Sequence, residues 1–373
     1  MGRDLVAESR RIVVKVGTRV LTERDNRLSE TTIRSLVMQV SHAVSDREII
    51  IVSSGAIALG LSRMGLERRP QEIDLLQAAA AMGQSRLMHA YEAEFAKSSL
   101  ETAQILLTYE DIQNRRRYLN IRNTIFALWA NGAVPIVNEN DTVSFSEIRF
   151  GDNDILAAHL SNMIDADLLL VLTDMEGVYE QDPKRNAGAR VLEEITEISD
   201  HVRGVVFGKD SKFSSGGMAS KIRAAEIATK GGVGVIIANG RTFNLERLLA
   251  GHPVGTYFVP AERKLRGRKK WIAFGPRTEG TIIIDRGGEG AIVAGKKSLL
   301  PAGVKEVSGT FQIGSNVSIQ NEDHREIARG LTNFSSKEID LIKGLQSSRI
   351  PEVLGTDSFF DEIVHRDNMV ILI

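Results

Sequence analysis

Two lysines stand in places where lysine is unusual. Lys15 interrupts the apolar run "RIVVKVG" (Arg11 to Gly17), and Lys221 closes the segment "SGGMASK" that begins at Ser215. Lysine is rarely buried without a partner, and one near a strand's carboxyl end, followed by a glycine turn, can point into a ligand crevice. In the second segment Gly216 and Gly217 free backbone N–H groups to turn inward, with Met218 and Ala219 leading to Ser220, the expected cap of the next helix. A helix N-terminus attracts anions. The spacing is not that of a Walker A motif, whose lysine directly follows the second glycine; Lys221 comes four residues after Gly217. Acidic and amide side chains gather in "VNENDTV" (Val137 to Val143) and "FGDNDILAAHL" (Phe150 to Leu160), placing Asp141, Asp152, Asn153 and Asp154 near strand ends. Such a set suits a metal, an ammonium group or a pair of lysines, and one of the two Asp residues in "GDND" is expected to cap a helix starting at Ile155. "SSGA" (Ser53 to Ala56), which includes Ser54, is a small-residue loop whose amides can hold a carboxylate or a phosphate. Thr173 and Asp174, in "LTDMEGVY", end another hydrophobic run where they can meet a nucleotide. Two lysines, several anion-binding loops and a few carboxylates are what phosphoryl transfer needs, since the protein's task there is positioning and charge neutralisation.

These residues need a scaffold that brings strand ends together. "RIVVKVG", "EIIIVSSGA", "VPIVNEND", "DLLLVLTD" and "VGVIIANG" read as short buried strands separated by helix-compatible sequence. Ser29 is placed to cap a helix with Ile33, Leu36, Val37, Val40 and Val44 on one face. Strands buried on both faces and joined by helices mean an α/β fold with a mainly parallel sheet, and ligands sit beyond the carboxyl ends of such strands. All the candidate loops fall there. After about residue 260 the character changes. Seven basic residues and no acidic one lie between Arg263 and Arg277, and the segments beyond are short and glycine-rich. The expected organisation is a catalytic domain over 1–262, a basic linker over 263–276 and a small mostly-β domain over 277–373, with a helix near "SKEIDLIKG". "GAIVAGKK" (Gly290 to Lys297) has Walker-like spacing, but Lys297 occupies the position of the hydroxyl that binds Mg²⁺, so a plain turn-and-helix reading is favoured.

Composition removes other classes of chemistry. The absence of cysteine excludes disulfides, thiolate metal sites and cysteine nucleophiles. Lys plus Arg (47) nearly cancels Asp plus Glu (48), which argues against a main role in neutralising nucleic-acid phosphates. No GxSxG elbow and no GxGxxG after a strand supports acyl hydrolysis or hydride transfer, and the dispersed histidines lack ligand spacing. With no signal-peptide-length apolar start and no spanning run, a cytoplasmic protein is expected.

In this order, "VVKVGT", "IVSSGAIALG", "VPIVNENDTV", "FGDNDILAA", "LLLVLTDMEGVY" and "SSGGMASKIRAA" resemble the amino-acid kinase family over nearly the whole chain. The tail, with "SLLPAGV" and "GTFQIGSNVSI", resembles the PUA domain carried by certain members. The resemblance implies ATP-dependent phosphorylation of the γ-carboxylate of L-glutamate to L-glutamyl 5-phosphate, a step toward proline, with Mg²⁺ accompanying ATP. Carried over residue by residue, Lys15 and Lys221 stabilise the transferring phosphoryl group and Asp154 holds both lysines. Ser54, Asp141 and Asn153 bind glutamate, and Lys15, Thr173, Asp174 and the residues from Ser215 to Lys221 bind ATP. The family also implies a homo-oligomer and feedback inhibition by proline. Arg19 departs from the pattern, standing where a small Ser is usual, and Ser215 and Ser220 replace threonines. Rival readings are a kinase of acetylglutamate, aspartate or a nucleoside monophosphate, and an RNA-binding protein built on the PUA-like tail.

Overall fold

The computed structural model describes residues 3–66, 68–144, 153–181, 183, 186, 188–198, 217–261, 267–275, 277–355 and 360–373. The chain forms two compact units, 1–264 and 265–373. In the first, eight strands among the described residues form one sheet: β1 (Arg11–Val16), β2 (Glu48–Ser53), β3 (Glu101–Leu107), β4 (Ala133–Glu139), β5 (Leu168–Thr173), β6 (Glu194–Ile195), β7 (Gly234–Asn239) and β8 (Thr256–Phe258). Their order is β3-β4-β2-β1-β5-β7-β8-β6, and every pairing is parallel except β7 with β8.

The five strands read from sequence occupy the middle of this sheet. β5 is buried at all six positions and β1 at five, as strands covered on both faces require. β3 was not legible in this way, because it is an edge strand with a polar start and mostly partial exposure; β6 and β8 are too short to carry a pattern. The helix Glu30–Ala43 follows Ser29 and buries Ile33, Leu36, Val37 and Val40 as expected.

Parallel register sets the strand ends side by side: Val16 faces Ser53 on one side and Leu172 on the other. The expected position of β1 inside the sheet places Lys15 in the protein interior, only 2% exposed. Two helix pairs accompany the sheet. The helix Ala56–Arg63 follows β2, and the helix Ile73–Ala96 packs on it backbone to backbone. A Cβ at Gly60 would lie 1.8 Å from the Ala79 carbonyl oxygen, and one at Gly83 equally close to that of Ala56. The helices Asn153–Met163 and Met218–Lys230 form the second pair, with Asn162 donating to the Ile227 carbonyl at 2.9 Å and Gly231 leaving room for the Asn162 amide.

The second unit holds a five-stranded sheet: β9 (Gly280–Ile284), β10 (Val304–Gly309), β11 (Asn316–Gln320), β12 (Glu326–Leu331) and β13 (Met369–Ile371), ordered β10-β9-β11-β12-β13. Its core includes Ile282, Ile319, Ile327 and Ile339. The expected helix is present at Ser336–Ile342, started by a capping box of Ser335 and Glu338. Residues Gly267–Phe274, inside the stretch expected to be a linker, instead form a helix against β12 and β13 with Lys270, Trp271, Ile272 and Ala273 buried. The basic composition hid its one apolar face. Among the described residues no helix is long and apolar enough to cross a membrane.

Candidate active site

The site begins with one carboxylate. Asp154 lies in the first turn of the helix Asn153–Met163, where a negative charge suits the helix dipole, and its side chain is fully buried. Lys15 Nζ, from the end of β1, lies 2.5 Å from Asp154 Oδ1. Lys221 Nζ donates to Asp154 Oδ2 at 2.9 Å. Both lysine side chains are almost wholly inaccessible, at 3% and 10% exposure. Burial pushes the Asp154 carboxyl up, but the charges and hydrogen bonds of Lys15 and Lys221 outweigh it and hold the group below the ordinary carboxylate range.

Lys221 pays a local penalty for its position. It is the fourth residue of its helix, at the positive end of the dipole, where a cation is disfavoured. Asp154 offsets that cost. Two buried ammonium groups held on a shared carboxylate form a preorganised cationic pair, which suits them to meet an anion. The helix begins at Met218 with Gly217 as its cap, so Ser220 lies within the first turn and is not the cap expected from sequence. Gly217 takes that place with a non-helical backbone, φ −97° and ψ −128°. Met218 and Ala219 open the helix beside it, while Ser215 and Gly216 lie outside the described residues. The helix expected to start at Ile155 starts at Asn153, which puts Asp154 inside the helix rather than at its cap; Asp152 lies outside the described residues.

Beside the ionic cluster is a network of neutral amides. Asn153 Nδ2 donates to the Ser53 carbonyl at 3.0 Å, to Ser54 Oγ at 3.1 Å and to Asn138 Oδ1 at 2.8 Å. Asn153 Oδ1 is buried and has no partner among the described residues. A cleft of about 880 Å³ is lined by Ser54, Asn138, Glu139, Asp141, Asn153 and Asp174, with Arg19, Arg24, Arg69 and Arg241 also on its walls. Gly55 turns the chain from Ser54 into the next helix with φ +106°, a conformation that favours glycine. Gly17 gives the β1 loop its closeness: a Cβ there would lie 3.2 Å from the Leu172 carbonyl and 3.8 Å from Lys15 Nζ.

Thr173 ends β5 and Asp174 follows it. Thr173 Oγ1 donates to Asp174 at 3.2 Å, and Arg19 Nη1 reaches Asp174 Oδ2 at 3.3 Å. Burial pushes the Asp174 carboxyl up, yet backbone, Arg19 and Thr173 hydrogen bonds together hold it below its ordinary value. Arg19, the departure noted in the sequence, is therefore tied to an expected nucleotide residue, although its side chain is 83% exposed. Asn138 and Glu139 were quoted in sequence but not singled out. Their signal was polar residues at the end of an otherwise apolar, buried strand. Among the described residues there is no group of three His, Cys, Asp or Glu that could hold a metal ion.

The profile of the amino acid kinase family matches residues 10–239, a span that includes Lys15, Ser54, Asp141, Asn153, Asp154, Thr173, Asp174 and Lys221. The chain belongs to the amino acid kinase family. The PUA domain profile matches residues 280–354. This amino acid kinase is 43% identical to a protein named glutamate 5-kinase from Carboxydothermus hydrogenoformans, over 99% of the chain and 100% of that protein. It is also 43% identical to a glutamate 5-kinase from Myxococcus xanthus (100% and 98% covered) and 44% identical to one from Geobacter sulfurreducens, over the full length of both. Among solved structures, the carbamate kinase from Giardia lamblia bound to AMP-PNP matches with a TM-score of 0.50 and 16% identity. It covers 68% of this chain and 100% of that one, a likeness of fold alone.

Proposed function

We propose that this amino acid kinase is a glutamate 5-kinase, transferring the γ-phosphoryl group of ATP to the γ-carboxylate of L-glutamate, a step in proline biosynthesis. The observation that carries this reading is the likeness to glutamate 5-kinases through both units, at 42–44% identity over nearly the whole chain. The geometry supplies a reason why such a site works. A carboxylate acceptor is already ionised at neutral pH, so no general base is needed. The obstacle is bringing it against a polyanion. Lys15 and Lys221 supply the positive charge, and Asp154 keeps their ammonium groups together before the substrates arrive.

In the reaction a glutamate carboxylate oxygen forms a bond to the γ-phosphorus while the bond to the bridging β–γ oxygen breaks. ADP carries away that electron pair, and no proton moves. Asp141 pairs with the α-ammonium of glutamate, while Ser54 and Asn153 supply hydrogen bonds on the same cleft. Thr173, Asp174 and the segment from Ser215 to Lys221 hold ATP. Mg²⁺ enters as MgATP, part of the substrate, coordinated mainly by phosphate oxygens and water. A cytoplasmic homo-oligomer subject to feedback by proline completes the reading. The test is an ATP-consumption assay with glutamate, acetylglutamate, aspartate and UMP offered separately. Turnover confined to glutamate supports the proposal; turnover with another acceptor and none with glutamate overturns it.

A further inference from the structure

The amide network in the cleft has an anchor outside it. Asn138 has its carboxamide orientation defined on both sides: Oδ1 accepts from the Glu139 backbone N–H at 2.9 Å and from Asn153 Nδ2 at 2.8 Å. Its Nδ2 must then find an acceptor elsewhere. It donates to Gln84 Oε1 at 2.8 Å, on the helix Ile73–Ala96. The chain of donors is thus directional, from Asn153 through Asn138 to Gln84. Asn153 Nδ2 faces three acceptors, and its buried Oδ1, which has no partner among the described residues, is left to receive a hydrogen bond from a ligand.

We propose that Gln84 is a positioning residue for the acceptor: its side-chain oxygen fixes the Asn138 carboxamide, which in turn holds the Asn153 carboxamide with Oδ1 available to a donor on the substrate. This rests on the proposed function, in which Asn153 binds glutamate. Two further observations point the same way. Gly83 lets the helix backbone come against the Ala56 carbonyl, so its neighbour Gln84 is carried on an element clamped to the Ser54 loop. Gln84 also lines a small cavity of about 220 Å³ with Glu139, Asn140 and Asp141, directly behind the loop that follows β4. An unsatisfied buried amide is costly, and an amide without a fixed partner is free to turn.

The experiment compares three substitutions of Gln84 in the full chain, reading kcat and the separate KM values for glutamate and MgATP, with thermal melting alongside. Gln84→Met keeps the length and removes the acceptor, and should raise the glutamate KM about five- to tenfold, the worth of one neutral hydrogen bond. The nucleotide KM and kcat should stay within about twofold. Gln84→Glu retains an acceptor and should restore a glutamate KM near that of the parent. Gln84→Lys sets a donor against the Asn138 donor and should be the worst of the three. A Gln84→Met protein with an unchanged glutamate KM overturns the proposal. So does a parallel rise in both KM values with a lowered melting temperature, which marks a merely structural residue. If the parent chain phosphorylates a different acceptor, the proposed function fails, and the same split is then measured on that acceptor.

Discussion

Lys221 and Lys297 each end a glycine-bearing segment, one in each unit of the molecule, and the two segments fold in opposite ways. Gly217 sits just before the helix Met218–Lys230, so the glycine is spent on its entry, and Lys221 is buried against Asp154, 67 residues away in sequence. Gly290 sits inside the helix Arg286–Val293, where it opens no loop, and Lys297 is exposed. Among the described residues Lys297 forms no ion pair. The comparison teaches that a lysine following glycines is only half of an anion site. The other half is a counter-charge, supplied by a distant element, that makes burying the lysine tolerable.

The largest test removes that counter-charge. Asp154→Asn keeps the shape but leaves two ammonium groups facing each other in the interior. Breaking a buried ionic group in this way costs about 3–5 kcal/mol, so the variant should lose stability and most of its turnover together, with kcat falling more than glutamate affinity. The pH dependence carries a sign. The native Asp154 value is depressed, so its contribution is complete above the unfolded carboxylate value of about 3.9 and is lost as pH falls through the lower native one. The stability gap between parent and Asp154→Asn should therefore be constant from about pH 6 to 8 and shrink only in acid. A gap that closes near neutrality would show that Asp154 is not the ionised partner of the lysines.

Next in size are the lysines themselves. Lys15→Ala and Lys221→Ala each remove a preorganised cation aimed at transition-state charge, worth about 10²–10³ in turnover. Each leaves Asp154 paired with the other lysine, so both variants should still melt cooperatively. Near-parental kcat in either one removes that lysine from the reaction. A smaller and more selective effect is expected at Asp141, on the wall of the cleft. Asp141→Asn should raise the glutamate KM strongly, by about tenfold or more, the loss expected for a charge-assisted contact. The MgATP KM should barely move. Equal shifts in both would place Asp141 with the nucleotide.

The same contrast explains what could be read without the structure. The five central strands were legible because burial on both faces forces a continuous apolar run, as in β5. β3 and the helix Gly267–Phe274 were not, since an edge strand and a helix with one buried face keep most of their polar residues. Candidate site residues were legible by type: a lysine in an apolar strand, and carboxylates or amides at strand ends. Their partnerships were not. The pairing of Asp154 with both lysines followed from family resemblance, and no spacing announces that Asn138 turns its amide toward Gln84 on another helix. Ser220 was misplaced because both serine and glycine are good caps, and only the backbone shows that Gly217 takes the position.

The smallest expected effect is the sharpest check on the comparison. Lys297 closes a glycine-bearing segment as Lys221 does and lacks everything else: its side chain is exposed, and its backbone N–H donates to the Ala291 carbonyl at 3.0 Å whatever the side chain. The helix before it is started by Asp285, which accepts from the Gly288 N–H at 2.7 Å, so the turn forms without help from the lysine. Lys297→Ala should therefore change stability by no more than about 0.5 kcal/mol, the usual range for a surface substitution. It should leave kcat and both KM values at parental levels, where Lys221→Ala abolishes most turnover. The two variants, assayed side by side with a melting curve for each, separate a lysine's local sequence from its environment. If Lys297→Ala lost activity while melting normally, the second unit would contribute a cation to the reaction, and the assignment of all the chemistry to residues between Lys15 and Lys221 would have to be abandoned.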